Sequence, residues 1–238
     1  MNLIYRKEVL LSWIVILFVA PLNVVFAQEG FKGERPPNPV VKRRSHASPA
    51  PRPAAARRTT PAQSSETTAT EPVDPFEDAI AEGNKALDGR RYDDALMQYR
   101  RAIALNAKDS RAYYGLGNAY FYKGQYNDAV EPYRQATSLN SGDAIALYYL
   151  AVTYDYLFRV EEALAAFQQV VRIDPKLALA YFGMGQEYLS LKRYAEAVEQ
   201  FQQALSRDPN YPRTHLSLGI AYRVLKRYDE AIQSLQQA

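Results

Sequence analysis

A short sequence motif of the form Tyr-x-x-Ala recurs along the chain at a constant spacing. It occurs at residues 92–95, 126–129, 194–197 and 228–231, and a fifth copy at 160–163 has Val160 in place of the tyrosine. Successive alanines of these copies are 34 residues apart. A chance match does not keep its register over five copies, so the chain contains an internal repeat. Such a repeat is one supersecondary unit, which buries its apolar face by stacking on its neighbours.

Each period contains two stretches with helical periodicity. Apolar residues recur at i, i+3, i+4 and i+7 in both stretches, and breakers such as Gly124 or the Asp-Pro step at 174–175 separate them. Each unit is therefore predicted to be a helical hairpin. Small residues at fixed positions of both helices allow close approach. In the first helices these are Gly83, Gly117, Ala151, Gly185 and Gly219, and the large residues expected to fill the remaining gap are Tyr99, Tyr133, Phe167, Phe201 and Leu235.

Three segments resemble the signature of the tetratricopeptide repeat (TPR) family, a 34-residue helix-turn-helix. They are Leu116-Gly117-x-x-Tyr120, Met184-Gly185-x-x-Tyr188 and Leu218-Gly219-x-x-Tyr222, with Pro175 and Pro209 at the closing position. The resemblance covers residues 76–238. It implies an all-α, right-handed superhelical solenoid of about five hairpins. The expected repeats are 76–109, 110–143, 144–177, 178–211 and a truncated 212–238.

The sequence departs from the family pattern at several places. Ala107 and Ser141 replace the closing proline, and Pro132 lies inside a predicted second helix, where it is expected to remove a hydrogen bond and bend the helix. The last repeat ends at Ala238 without a polar capping helix. Either the chain continues beyond this residue, or this end associates with another molecule. Partial exposure is expected at Leu218, Ile232 and Leu235.

Residues 1–27 have the pattern of an export signal. Two basic residues precede an apolar run at 9–27, and Val25 and Ala27 place small side chains where a signal peptidase reads them. Cleavage is predicted after Ala27, which implies export to the periplasm or cell surface. The alternative is an uncleaved inner-membrane anchor formed by residues 9–27, although Pro21 and Asn23 weaken it.

Residues 28–75 are predicted to be a disordered, proline-rich linker. They contain nine prolines and almost no large apolar side chains, so they cannot bury enough surface to offset chain entropy. Residues 28–60 carry eight basic and two acidic side chains. This charge is consistent with contact to an anionic membrane or cell-wall surface, and equally with a solvated spacer.

Composition excludes several classes of site. The chain has no cysteine and two histidines, which rules out disulfides, thiolate metal sites and multi-histidine metal sites. His46 lies in the linker, and His215 is expected to pack within its repeat. The acidic pairs at 93–94 and 161–162 begin predicted second helices, where carboxylates complement the helix dipole. No phosphate-binding loop or hydrolase motif occurs, so no enzyme activity, cofactor or metal is predicted.

The TPR resemblance implies a binding groove lined by the first helix of each repeat. In arrays of this family that bind peptides, the second, fifth, sixth, ninth, twelfth and thirteenth positions of these helices contact the ligand. Carried over to this sequence, the candidate partner-binding residues are Asn84, Arg111, Tyr114, Asn118, Phe121, Tyr122, Tyr148, Tyr149, Val152, Tyr156, Phe182 and Gln186. Tyrosines supply rigid apolar area with a hydroxyl group, and amides can bond a peptide backbone. The tyrosines at 120, 154, 188 and 222 are assigned to packing.

These features favour a non-enzymatic scaffold or adaptor of the cell envelope that binds a protein or peptide segment in its groove. The alternatives are the N-terminal part of a larger TPR-containing enzyme and a membrane-anchored assembly factor. A carbohydrate ligand also fits an aromatic surface. Nucleic acid is not expected, because the basic residues lie in the linker without stacking aromatics. The uncapped last repeat also offers a surface for self-association, by pairing with a second copy of the chain.

Overall fold

The computed structural model describes residues 74–238, and the structural statements below refer to this range. The predicted signal at 1–27 and the linker up to residue 73 lie outside the described residues, and the limits of segments and repeats stay predictions. Ten α-helices follow one another. They are α1 Pro75–Asp88, α2 Tyr92–Leu105, α3 Ser110–Tyr122, α4 Tyr126–Leu139, α5 Ala144–Tyr156, α6 Val160–Ile173, α7 Ala178–Ser190, α8 Tyr194–Leu205, α9 Pro212–Val224 and α10 Tyr228–Gln236. From residue 74 onward there are no strands.

The helices pack as consecutive antiparallel hairpins. Each helix contacts the one before and the one after it, and the first helices of neighbouring hairpins also touch, as α1 with α3 and α5 with α7. Second helices make no comparable contact with one another. The first helices therefore line the inner side of the stack and the second helices its outer side. This arrangement confirms the predicted solenoid. None of the helices between residues 74 and 238 has the length and hydropathy of a membrane span.

Side-chain caps begin several first helices. Asp74 accepts a hydrogen bond from the backbone N–H of Phe76 at 2.9 Å, and Asp109 does so from Arg111 at 2.9 Å. Asp143 accepts from the N–H of Ile145 at 3.0 Å. These bonds satisfy backbone donors that have no partner within the helix. The second helices lack such caps and instead carry acidic residues in their first turn, as α2 and α6 were predicted to do.

The turn inside each hairpin requires one residue with a left-handed backbone. Gly124 has φ +80° at this place in the second hairpin, and its lack of a side chain makes that conformation accessible. The other four hairpins use residues that carry a side chain, with φ between 57° and 60°. They are Arg90, Phe158, Lys192 and Lys226. The stacked hairpins therefore impose the turn even where the residue type does not favour it.

Small and large side chains interlock as the sequence predicted. Tyr133 and Phe201 are completely buried, each at 0% exposure. A methyl group added at Gly117 would lie 2.7 Å from the Tyr133 ring, and one added at Gly185 would lie 2.4 Å from Phe201. Glycine is required here because any side chain would occupy the space of the ring.

A second set of close contacts joins neighbouring hairpins and was not predicted from the sequence. A methyl group at Gly115 in α3 would lie 2.2 Å from the Tyr99 ring of α2, and one at Gly183 in α7 would lie 2.4 Å from Phe167 of α6. Each of these large residues therefore packs between two first helices.

Gly115→Val is expected to lower the free energy of unfolding by about 1–3 kcal/mol, because the Tyr99 ring has no room to move. Tyr99 is held from the other side by Gly83, where a methyl group would approach it to 2.7 Å. The matched control is Gly142→Val, in a turn where the nearest heavy atom would be 3.7 Å away. Urea unfolding followed by circular dichroism measures both. Equal midpoints for the two variants would contradict the close contact.

Two further sequence expectations concern Pro132 and the exposure of apolar residues in the last hairpin. Pro132 is buried inside α4, which continues without interruption from Tyr126 to Leu139. In the last hairpin, Ile232 and Leu235 are 46% and 45% exposed, as expected. The expectation for Leu218 was wrong, since this residue is 6% exposed. Leu218 belongs to the apolar cluster that α8, α9 and α10 close around it.

Candidate functional site

Aromatic rings from the second and third hairpins form a continuous cluster. Phe121 of α3 lies edge-on to Tyr149 and Tyr156 of α5, with ring centroids 5.9 and 5.5 Å apart. Tyr126 stacks on Tyr156 at 4.4 Å with the ring planes 21° apart. Such pairs stabilise each other beyond their buried area. We call this group the aromatic cluster; its members are Tyr114, Phe121, Tyr122, Tyr126, Tyr133, Tyr148, Tyr149 and Tyr156.

Five of the twelve candidate residues are buried and present little surface to a partner. They are Asn118, Phe121, Tyr148, Tyr149 and Val152, with exposures between 2% and 6%. In the free protein these five residues are thus part of the packing, and their assignment to partner binding stays a prediction. The physical reason is that neighbouring hairpins enclose α3 and α5, so that seven and nine of their 13 residues are buried. Their side chains pack between hairpins.

Two candidate asparagines accept hydrogen bonds from tyrosines of their own hairpin. The Tyr99 hydroxyl donates to Oδ1 of Asn84 at 2.8 Å, and the Tyr133 hydroxyl donates to Oδ1 of Asn118 at 2.7 Å. These amide oxygens were expected to be available to a peptide backbone. The internal hydrogen bonds already use them, because a buried tyrosine hydroxyl needs an acceptor.

Arg111 forms a clamp between the first two hairpins. Its guanidinium donates to Asp109 at 2.7 Å and to Glu77 at 2.7 Å, and it lies 5.2 Å from the ring centre of Phe76. Burial alone would raise the pKa of Asp109, but the hydrogen bonds from Arg111 lower it below its ordinary value. The same bonds raise the pKa of Arg111. The charge of Arg111 is thus already compensated.

Seven candidate residues are half-buried and lie on first helices. They are Asn84, Arg111, Tyr114, Tyr122, Tyr156, Phe182 and Gln186. Tyr122 and Tyr149 form a hydrogen bond between their hydroxyl oxygens at 3.1 Å. Burial raises the pKa of Tyr156 to about 12, so its hydroxyl is neutral at physiological pH. The half-buried candidates on α3, α5 and α7 are therefore mainly aromatic.

The tyrosines assigned to packing have that role. Tyr154 and Tyr222 are 8% and 5% exposed, and Tyr120 and Tyr188 are half-buried. Arg159 lies 4.6 Å from the ring centre of Tyr154, and Arg227 lies 4.4 Å from that of Tyr222. These cation–π contacts hold the turn of each hairpin against its first helix.

An acidic pair lies beside the aromatic groove, and neither of its residues is among the twelve candidates. Glu187 of α7 is 1% exposed, and no donor between residues 74 and 238 reaches either of its carboxyl oxygens. Burial, followed by the nearby Asp155 carboxyl, raises the pKa of Glu187 to about 9. Asp155 of α5 keeps part of its surface exposed to solvent, but burial of its carboxyl raises its pKa as well, against the lowering effect of the hydrogen bond with Glu187. A hydrogen bond between the two carboxyls requires a proton on one of them, and Glu187 holds it at pH 7.

Two sequence signals could have found these residues. Asp155 occupies the twelfth position of its repeat, which is a groove position. Glu187 interrupts a series of small residues, because the residues 34 places apart from it in the chain are Thr153 and Ala221. Tyr126 was missed because it belongs to a second helix.

The rest of the described chain offers no competing site. Between residues 74 and 238, no group of three or more His, Asp or Glu side chains is placed to hold a metal ion. His215 is 9% exposed and its Nε2 is hydrogen-bonded to the carbonyl of Pro209 at 2.8 Å, so it packs as predicted. An open depression of about 440 Å³ between the second and third hairpins includes Arg134, Ser141 and Gln169 but no candidate residue.

Comparisons with known proteins agree with this architecture. A family profile described as "Tetratricopeptide repeat" matches residues 114–178 and 182–238, and one described as "TPR repeat" matches residues 83–121. Comparison with curated proteins gave no match.

Solved structures with the same fold include the following three proteins. "Crystal structure of MamA protein" is 24% identical, with a TM-score of 0.65 over 68% of this chain and 89% of that chain. The Pseudomonas aeruginosa protein pilF is 21% identical, with a TM-score of 0.62 over 68% and 74%. YrrB, described as a TPR protein with an unusual peptide-binding site, is 23% identical, with a TM-score of 0.59 over 69% and 90%. The profile matches, together with the stacked hairpins, show that the chain belongs to the tetratricopeptide repeat family, whose members mediate protein–protein interactions.

Proposed function

We propose that this protein is a non-enzymatic scaffold or adaptor of the cell envelope that binds a segment of a partner protein in its inner groove. The observation that carries the proposal is the row of half-buried aromatic side chains on the first helices, at Tyr114, Tyr122, Tyr156 and Phe182. Rigid aromatic side chains lose little conformational entropy on binding and supply most of the energy at protein interfaces. YrrB, which has a similar fold, is described as having a peptide-binding site.

The predicted export signal at residues 1–27 is the basis for the location of this function. The proposal places the solenoid in the periplasm or at the cell surface, where the basic linker would contact an anionic surface. The intact mass of the native protein tests it, since removal of residues 1–27 would leave Gln28 as the first residue. A mass that includes those residues would instead favour the membrane-anchored form. Self-association through the last hairpin stays a prediction.

Site-specific photo-cross-linking in the intact protein is expected to locate the partner. A benzophenone amino acid replaces Tyr122 or Tyr156 in the groove, and Met97 serves as the control. Met97 lies on the outer helix α2 and is 59% exposed. We expect discrete adducts from positions 122 and 156 and none from position 97. Adducts of equal yield from all three positions, or none from the groove, would contradict the groove assignment.

A further inference from the structure

Glu187 places a long acidic side chain where three of the other four hairpins have small, buried ones. The residues at the same repeat position are Ala119, Thr153 and Ala221 in the second, third and fifth hairpins, and the exposed Lys85 in the first. Packing at this position therefore needs only a small side chain. A buried carboxyl whose neighbour is a second carboxyl destabilises the fold, so packing alone does not explain Glu187.

The preceding residue, Gln186, also lacks the internal partner that its equivalents have. In the first two hairpins, the residues at this position are Asn84 and Asn118, and each accepts a hydrogen bond from a tyrosine. In the fourth hairpin, the residue that corresponds to those tyrosines is Phe201, which has no hydroxyl group. Oε1 of Gln186 is buried and unbonded as a result.

Two consecutive residues of α7 therefore carry buried side-chain oxygens that lack a donor. Within residues 74–238, five buried side-chain oxygens have no hydrogen-bond partner, and three of them belong to Gln186 and Glu187. Once Glu187 has lost its proton all three are acceptors, so the group that would satisfy them must be a donor. The titratable groups that face Glu187 are Asp155 of α5 and Glu161 of α6, and both are acidic. A donor that enters this place should thus be positively charged.

The acidic pair also reaches the groove. Asp155 is accessible to solvent and precedes Tyr156, whose half-buried ring belongs to the aromatic cluster. A cation beside this ring would gain from the negative face of the aromatic system. The Glu187 carboxyl neighbours that of Asp155, so a cation held by Asp155 would also be attracted by Glu187.

We infer that Asp155 and Glu187, together with Oε1 of Gln186, form a subsite for the lysine or arginine side chain of the segment bound in the groove. This inference rests on the proposed function and names the chemistry of the partner. In the free protein the two carboxyls share a proton. In the complex an ammonium or guanidinium group replaces that proton and donates to the three oxygens.

The test uses the full chain and a phage-displayed library of random twelve-residue peptides. Three proteins are compared: the wild type, Asp155→Asn with Glu187→Gln, and Glu199→Gln. Glu199 is an exposed residue of the outer helix α8, so its variant removes charge without touching the groove. Wild type and Glu199→Gln are expected to enrich peptides with Lys or Arg at a constant distance from apolar residues. The double variant is expected to lose that preference and to bind a representative synthetic peptide at least about tenfold more weakly.

The outcomes separate this inference from the proposed function. If the wild type enriches peptides without a basic residue, or if the double variant keeps the basic preference, the cationic subsite is wrong while peptide binding stands. If the wild type enriches no peptide, both the cationic subsite and the proposed peptide binding are wrong. Circular dichroism checks that the isosteric double variant folds.

The pH dependence of peptide affinity reports the release of the shared proton. A purely structural role of Asp155 and Glu187 would not produce this dependence. When the peptide's cation replaces the shared proton, wild-type affinity should rise between pH 6 and pH 8, by at most about tenfold per pH unit. The double variant should show no such rise. If the wild-type affinity is constant over this pH range, the inference that the peptide's cation replaces the shared proton is wrong.

Discussion

Tyr133→Ala is expected to lower the free energy of unfolding by about 3–5 kcal/mol, as is typical when a large buried side chain is truncated. Tyr133 is 0% exposed and its ring fills the space left by Gly117. It also stacks on Tyr149 at 6.0 Å. Truncation would leave a cavity between two hairpins and would remove the hydroxyl that donates to Asn118. Urea unfolding at pH 7, followed by circular dichroism, measures the change.

Two further substitutions separate the causes of this loss. Tyr133→Phe keeps the ring and removes the hydrogen bond to Asn118, so it is expected to cost about 1 kcal/mol. Tyr228→Ala removes a tyrosine that is 55% exposed and should change the free energy of unfolding by less than about 0.5 kcal/mol. A loss for Tyr133→Ala no larger than that for Tyr228→Ala would contradict the role of Tyr133 in the core.

Stability is expected to fall as the pH rises from about 5 to about 9, and Glu187→Gln is expected to remove much of this dependence. The ordinary pKa of 4.5 applies to Glu187 in the unfolded chain, whereas burial raises it to about 9 in the folded protein. Between these values the folded state binds a proton that the unfolded state has released, so a higher pH favours unfolding. The stabilisation is complete below pH 4.5 and is lost as the pH approaches 9.

The magnitude follows from the same linkage. Each pKa unit corresponds to about 1.4 kcal/mol, so the loss between pH 5 and pH 8 should amount to a few kcal/mol. Asp155 contributes with the same sign, because burial raises its pKa too. Urea unfolding at one-unit pH steps measures the slope for wild type, Glu187→Gln and the exposed control Glu199→Gln. A wild-type slope shared by Glu187→Gln would show that Glu187 is not the group that titrates.

The hairpins and their stacking could be predicted because the same pattern of small and large residues occurs in five copies, whereas a single copy would leave the helix assignment ambiguous. Five copies of the same pattern place Gly117 opposite Tyr133 and Gly185 opposite Phe201, and the structure confirms both contacts. One position shows the limit of this approach. Gly115 and Gly183 contact the large residue of the preceding hairpin, which is a contact between repeats, and the spacing within one repeat does not reveal it.

The candidate site was predicted less well than the fold. The family register places the candidates on first helices, but it treats every groove position as accessible. Tyr149 and Asn118 are 2% and 6% exposed because α5 and α3 are enclosed by neighbouring hairpins. Whether a groove position is open depends on how closely adjacent hairpins approach, and this differs from one repeat to the next.

The sequence by itself determined the repeat length, the helical hairpin and the positions of small and large core residues, since these follow from local periodicity and side-chain size. Tertiary structure alone decided which groove residues are accessible and which polar atoms have partners. The amide of Asn118 is satisfied by Tyr133, whereas Gln186 and Glu187 have no donor within residues 74–238. That difference depends on distances between residues far apart in the chain, which the packing of consecutive hairpins sets.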